Sequence, residues 1–343
     1  MLFSTTIIAT IFVIGLLVVF HEFGHFITAK SVGMRVNEFA VGFGPQVVSH
    51  RHGETVYSLR AFPLGGFVKI AGMDPDEEQD EKSYQTKPIW ARMLVIAAGS
   101  LMNFILPVLL FFFIILATGI DTPTTTIANV LEDSPAAQAG LQPGDRITMV
   151  NGAPIGNWQQ FVAAIQANGD GRMTIGLDRN GSPQQMIITP QPDPKTNRQI
   201  IGVASEVAHY QPGPGEAATL AVQQTYMIAT TMLSGIGQMI TGKAPADVAG
   251  PIGVAQMAGQ VAQLGIVPLL KFAAFLSINL GLINLLPVPV LDGGHIVTLA
   301  VEGIRGKPLS RDKLQWIQLV GFTLLMLLFL LATYKDISRL KLF

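Results

Sequence analysis

Residues 7–20 carry no charged side chain, and the run closes on His21-Glu22-Phe23-Gly24-His25. Extended by a few residues on either side, the segment reaches the roughly 20 mostly apolar residues that cross a bilayer as a helix. Residues four apart on a helix are separated by little more than one turn, so the two imidazoles share a face. Two neutral histidines on one face beside a glutamate form an arrangement that holds Zn²⁺ and offers a general base to a water molecule. The bland alternative is a pair of ordinary surface or core histidines. Ionisable groups at this depth are costly and are by default functional, paired or metal-bound, so the segment is read as a membrane span ending in a metal motif.

Composition supports lipid as the solvent. Of 343 residues, 49% are hydrophobic and only 13% are charged, about half the charged share of a soluble domain. The net charge is −1, and no basic run marks a nucleic-acid partner. There is no cysteine, which excludes disulfides and thiol chemistry and leaves metal binding to histidines and carboxylates. The first Lys or Arg is Lys30, and no small-residue cleavage site precedes the histidine pair. The N-terminal run therefore reads as a retained span and not as a secretion signal.

Four stretches qualify as spans: residues 5–28, 93–120, 267–290 and 314–333. A fifth, 217–240, carries several Gln and Thr, and its apolar Met232, Leu233, Ile236, Met239 and Ile240 fall at helical spacing, an amphipathic pattern. The 30–92 connection contains Lys30, Arg35, Arg51, Arg60, Lys69, Lys82, Lys87 and Arg92, and the last two spans are linked through Arg305, Lys307, Arg311 and Lys313. Positive connections mark the cytoplasmic side, which puts the middle of the chain outside. Lys335, Arg339 and Lys341 after the last span point the other way.

Within 30–92, Gly42-Phe43-Gly44-Pro45 and Pro63-Leu64-Gly65-Gly66-Phe67 interrupt extended runs, and residues 55–60 alternate as a strand does. Either an ordinary cytoplasmic hairpin or a sheet edge able to pair with an extended peptide fits this pattern. Residues 74–82 are acidic and read as a solvated loop. From residue 127 the character changes to that of a small α+β module outside the membrane. Asn151-Gly152 and Asn180-Gly181 mark tight turns, and Trp158, Phe161, Val162 and Ile165 lie on one helical face. Pro- and Gly-rich 191–195 and 211–215 bracket its end.

A catalytic zinc usually takes three protein ligands. With His21 and His25 as two, the candidate third is Asp292, in Asn284-Leu285-Leu286-Pro287-Val288-Pro289-Val290-Leu291-Asp292-Gly293-Gly294. The prolines end the third span before the carboxylate, and irregular backbone at that depth is tolerated only inside protein or beside a cavity. A helix-capping role for Asp292 is the alternative. The His pair and Asp292 each close a span, and they reach the same face only if 217–240 lies at the outer interface and does not cross. Asn284, two turns before Asp292 on the same span, could hold a substrate backbone near the metal. His295 reads as a helix-start residue or an outer support for the ligands, with ligation as the minor alternative. His50, His52 and His209 read as solvated loop residues, and Asn103 as an amide that bonds backbone between helices.

Taken together, His21-Glu22-Phe23-Gly24-His25, Gly42-Phe43-Gly44-Pro45, Pro63 through Lys69, Ala98-Gly99 with Asn103, Ala139 through Asp145, Gly250-Pro251-Ile252-Gly253, and Asn284 through His295 resemble the site-2 protease family of intramembrane zinc metalloproteases, peptidase family M50, in its bacterial RseP branch. The resemblance implies a polytopic α-helical membrane protein of four transmembrane helices, with an inserted α+β PDZ domain and a membrane-associated β-hairpin or sheet. The parts expected are a membrane part at 1–120, an extracytoplasmic PDZ domain at 127–203, an interfacial helical linker at 204–266 and a second membrane part at 267–343. One Zn²⁺ would be held by His21, His25 and Asp292, with Glu22 as the base, and the substrate would be held by Asn284, Gly65, Gly66 and Phe67. The family implies a bacterial cytoplasmic membrane with the active site near the cytoplasmic side. Its substrates are single-span proteins: anti-sigma factors already cut outside, in a stress response, and remnant signal peptides. A peptide or tail would occupy the PDZ groove, with 200–203 as a guess for its position. A non-catalytic PDZ-bearing membrane adaptor is the alternative. Two departures stand out. Only one PDZ module can be placed where the branch is known for two, and Ser100 replaces the usual proline, which is expected to loosen the second span without touching the metal.

Overall fold

The computed structural model describes residues 2–73, 77–194, 196–243 and 249–339. Asp74 and Asp76 of the acidic loop, Lys195 at the end of one linker, part of the 204–266 linker and Lys341 lie outside them. The chain divides into two compact units, one formed by Met1–Ile114 with Pro214–Phe343 and the other by Ile115–Gly213.

The first unit opens with helix α1 (Leu2–Ser31) and continues into two long strands, β1 (Val36–His52) and β2 (Thr55–Ile70). The expected glycine interruptions are absorbed within these strands. Gly42, Gly44 and Gly65 take φ of 92°, 85° and 137°, and the ladder shifts register repeatedly along this stretch, as bulges do. Val41 pairs with both Gly66 and Leu59, so the start of β1 lies between the two halves of β2. Helix α2 (Ile89–Thr118) follows. It begins and ends earlier than the apolar run suggests, because Gly119, at φ 65°, turns the chain out.

After the second unit come α5 (Pro214–Ile240), α6 (Pro251–Gln263), α7 (Ile266–Asn284), α8 (Asp292–Arg305) and α9 (Arg311–Arg339). Two of these bounds correct the sequence reading. The third span stops at Asn284 and not at Val290, because Pro287 and Pro289 cannot continue a helix. Asn284 and Asp292 therefore sit on different elements. Lys335 and Arg339 belong to the last turns of α9 and do not follow it. Among the described residues, four helices are long and apolar enough to cross a membrane, namely α1, α2, α7 and α9. The chain is thus a multi-pass membrane protein, and amphipathic α5 is not among the four.

Two buried clusters hold this unit. Val13, Leu17, Leu106, Leu269 and Phe272 join α1, α2 and α7, while Ala29, Val36, Ile70, Val95 and Leu299 join α1, both strands, α2 and α8. At the far end, the buried Asp336 of α9 accepts from the amides of Gly250 (3.0 Å) and Gly253 (2.9 Å), where α6 begins. Along α9, a Cβ at Gly321 would stand 2.4 Å from Pro289, so the helix leans on the turn that leads to Asp292.

The second unit contains β3 (Ile120–Val130), α3 (Pro135–Gln138), β4 (Arg146–Val150), β5 (Ala153–Pro154), α4 (Trp158–Asn168), β6 (Met173–Arg179), β7 (Ser182–Ile188), β8 (Gln191–Pro192), β9 (Gln199–Ile200) and β10 (Val203–Tyr210). Its sheet runs β10-β3-β4-β6-β7, with β5 paired to β4. Asn180 and Gly181 both have positive φ, the geometry of a two-residue hairpin turn. Asn157 caps α4 by accepting from Gln160 N at 2.9 Å. Phe161 and Ile165 of α4 then bury against Ile127, Ile147, Ile175 and Leu177. His209, expected in a loop, lies on β10 and pairs with Asp121 at 3.0 Å.

Candidate metal centre

The histidines of α1 point toward the start of α8. His21 Nε2 and His25 Nε2 are 3.2 Å apart. His21 Nε2 lies 3.5 Å from Asp292 Oδ2, and His25 Nε2 lies 3.7 Å from Asp292 Oδ1. All three side chains are largely buried, 11–14% exposed. Among the described residues they form the one group of His and carboxylate donors close enough to share an ion, with ligand atoms within 4.8 Å of one another.

One hydrogen bond fixes the tautomer of His25. His25 Nδ1 is 2.8 Å from the Val95 carbonyl; a carbonyl only accepts, so Nδ1 carries the proton and Nε2 a lone pair. His21 Nδ1 is 3.1 Å from the Asn103 amide, and the buried Asn103 Oδ1 otherwise has no partner. Each Nδ1 thus meets a partner on α2, which leaves the two Nε2 atoms facing Asp292. Nitrogens about 2.0–2.1 Å from a tetrahedral zinc stand roughly 3.3 Å apart. The donor set and its spacing fit zinc.

The close approach of α1 and α2 depends on bare backbone. A Cβ at Gly24 would lie 2.3 Å from the Ala98 carbonyl, and one at Gly99 would lie 2.1 Å from His25 Nε2. Asp292 is the first residue of α8, and its N-cap Leu291 makes no side-chain cap. The turn before it carries a strained residue, Val290 at φ 80°, a region that β-branched side chains rarely enter.

The other expected residues fall into two groups. Gly66 lies beside Glu22, since its Cβ would be 3.6 Å from Glu22 Cγ and 2.7 Å from the Ala40 carbonyl. Gly65 covers the Phe43 ring, and Phe67 lies under the Arg60 guanidinium at 4.8 Å. Asn284 ends α7, and its amide meets no partner among the described residues. His295 stays outside the ligand group; its ring helps line a cavity of about 510 Å³ with Val290, Gln315, Gln318, Leu319 and Phe322.

Ser100 corrects the sequence reading. Its hydroxyl donates to Asp292 Oδ2 at 2.7 Å, within a helix that runs unbroken through residue 100. The available signal was a pair of polar residues three apart, Ser100 and Asn103, in an otherwise apolar span.

A histidine pair and a carboxylate that could hold a metal ion converge among apolar helices, and the comparisons give the class of protein. The profile of Peptidase family M50 matches residues 9–328. The Regulator of sigma-W protease RasP of Bacillus subtilis is 32% identical over 420 aligned residues, covering 99% of this chain and 100% of the relative. The zinc metalloprotease RasP of Bacillus licheniformis is 32% identical over 416 residues, covering 98% and 99%. Among solved structures, the PDZ domain of the SdrC-like protein of Listeria monocytogenes is similar at 24% identity and a TM-score of 0.23, covering 24% of this chain and 87% of that one. The chain belongs to peptidase family M50. It is a multi-pass membrane metalloprotease.

Proposed function

We propose that the protein hydrolyses peptide bonds within the membrane-spanning segments of single-span proteins, using one zinc ion held by His21, His25 and Asp292. The observation that carries this reading is the convergence of His21 Nε2 and His25 Nε2, 3.2 Å apart, with the Asp292 carboxylate beside both. Bound there, zinc supplies Lewis acidity, which polarises a scissile carbonyl and makes water a competent nucleophile near neutral pH. Glu22, one residue after His21 and packed against Gly66, takes the proton from the water and returns it to the leaving amine.

A helical substrate hides its carbonyls in its own hydrogen bonds, so it must unwind before it is cut. The outer edge of the Gly65–Gly66–Phe67 segment offers replacement bonds. This segment pairs with β1 on one side only, and among the described residues no other strand covers it. Asn284, with its free amide at the end of α7, holds the unwound segment.

The wider assignment follows the same reading. The second unit is a PDZ module that binds a peptide or tail outside a bacterial cytoplasmic membrane, and the basic 30–92 and 305–313 connections face the cytoplasm. Anti-sigma factors already trimmed outside are one substrate group, in keeping with the Bacillus subtilis relative's name as a regulator of sigma-W, and remnant signal peptides are a second. The test is cleavage of a trimmed single-span substrate in membranes by Glu22→Gln. Activity should fall by about 10²-fold or more while zinc content holds; undiminished cleavage would rule out the assigned base.

A further inference from the structure

Helix α2 contributes no ligand, yet a polar atom of each ligand side chain meets it. The Val95 carbonyl meets His25 Nδ1, the Ser100 hydroxyl meets Asp292 Oδ2, and the Asn103 amide meets His21 Nδ1. We propose that α2 is the template that orients all three ligands, and that Ser100 is the positioning residue that aims the Asp292 carboxylate. The inference rests on the metal reading above.

The three ligands do not need this help equally. His21 and His25 project from a continuous helix, where backbone geometry narrows the choice of rotamer. Asp292 comes directly after an irregular turn, and nothing in α8 caps or aims it. Among the described residues, the hydrogen-bond donor to its carboxylate is Ser100. Ser100 is 0% exposed, so no solvent competes for the hydroxyl. A serine inside a helix ordinarily bonds back to the carbonyl four residues earlier; this one reaches across to a residue 192 positions away.

The template is itself braced. Ser277 of α7 donates to the Asn103 carbonyl at 2.9 Å, and a Cβ at Gly281 would lie 3.2 Å from the Ser100 carbonyl, which keeps α7 and α2 in register. Partners on the far side of metal ligands of this kind are worth about 10–100-fold in metal affinity.

The test uses full-length protein in detergent, stripped of metal. It is titrated with zinc against a chromophoric chelator, and separately with Co²⁺, whose visible bands report ligand geometry. Ser100→Ala should bind zinc about tenfold or more weakly and show shifted Co²⁺ bands, with the metal-free thermal midpoint unchanged. Ser100→Thr, which keeps the hydroxyl, should restore both. Unchanged zinc affinity and Co²⁺ bands in Ser100→Ala overturn the proposal. A fall in metal-free stability that accounts for the lost affinity also overturns it, since that marks a packing role. If Ser100→Thr does not fold, Ser100→Ala decides alone. Wild-type protein that takes up no stoichiometric zinc would refute the metal reading itself, an outcome distinct from a silent Ser100→Ala.

Discussion

Asp145 is 1% exposed and keeps its charge through a fork of bonds. Arg179 donates to both of its oxygens at 2.7 Å, and the Gln142 amide donates at 2.9 Å. Burial alone would push this carboxyl up, but the Arg179 pair and the Gln142 amide outweigh it and hold the group below the usual carboxylate range. The folded form therefore binds this proton more weakly than the unfolded form. Its contribution to stability is full above about pH 4 and is lost as pH falls through the depressed folded value. With Trp90→Phe and Trp316→Phe leaving Trp158 as the reporter, thermal unfolding of the second unit should lose stability in that window, and Asp145→Asn should flatten the loss. Asp145→Ala should cost about 2 kcal/mol at neutral pH. The partner is what the sequence hides, because Arg179 lies 34 residues on with no periodic relation to Asp145.

At the scale of elements, α1 and α2 pack closely enough for a side chain of one to touch the backbone of the other. Gly99→Ala would place a methyl where His25 Nε2 now lies. Helix content should be retained while bound zinc drops below about a tenth of stoichiometric; full occupancy by metal analysis would contradict the packing described. Here the sequence is partly legible. His21 and His25 were readable because helical spacing is local, and Asp292 because prolines and glycines punctuate the chain around it. The end of α7 at Asn284 was missed, since hydropathy continues past the point where proline stops the helix. The Ser100–Asp292 bond was missed because it joins distant segments, and a rule drawn from relatives pointed the other way. Tight-turn dipeptides and alternating strands made most of the second unit readable, while the doubled pairing of β1 required coordinates.

Across the first unit, polar contacts tie distant parts of the chain, and one of them joins α9 to the start of α6. Asp336 satisfies the amides of Gly250 and Gly253, which would otherwise stand unpaired at the start of α6. Asp336→Ala should lower the thermal midpoint of the membrane part, since it leaves the two amides without their acceptor, while leaving the Trp158-reported transition of the second unit in place. An equal shift in both transitions would show that the two unfold as one body. During synthesis, residue 336 leaves the ribosome long after residue 250, so α6 waits with two bare amides until its latch arrives. Nascent chains halted before that point would present an unfinished bundle to the membrane's quality-control proteases, and the amount of protein in the cell would report on whether the latch had closed.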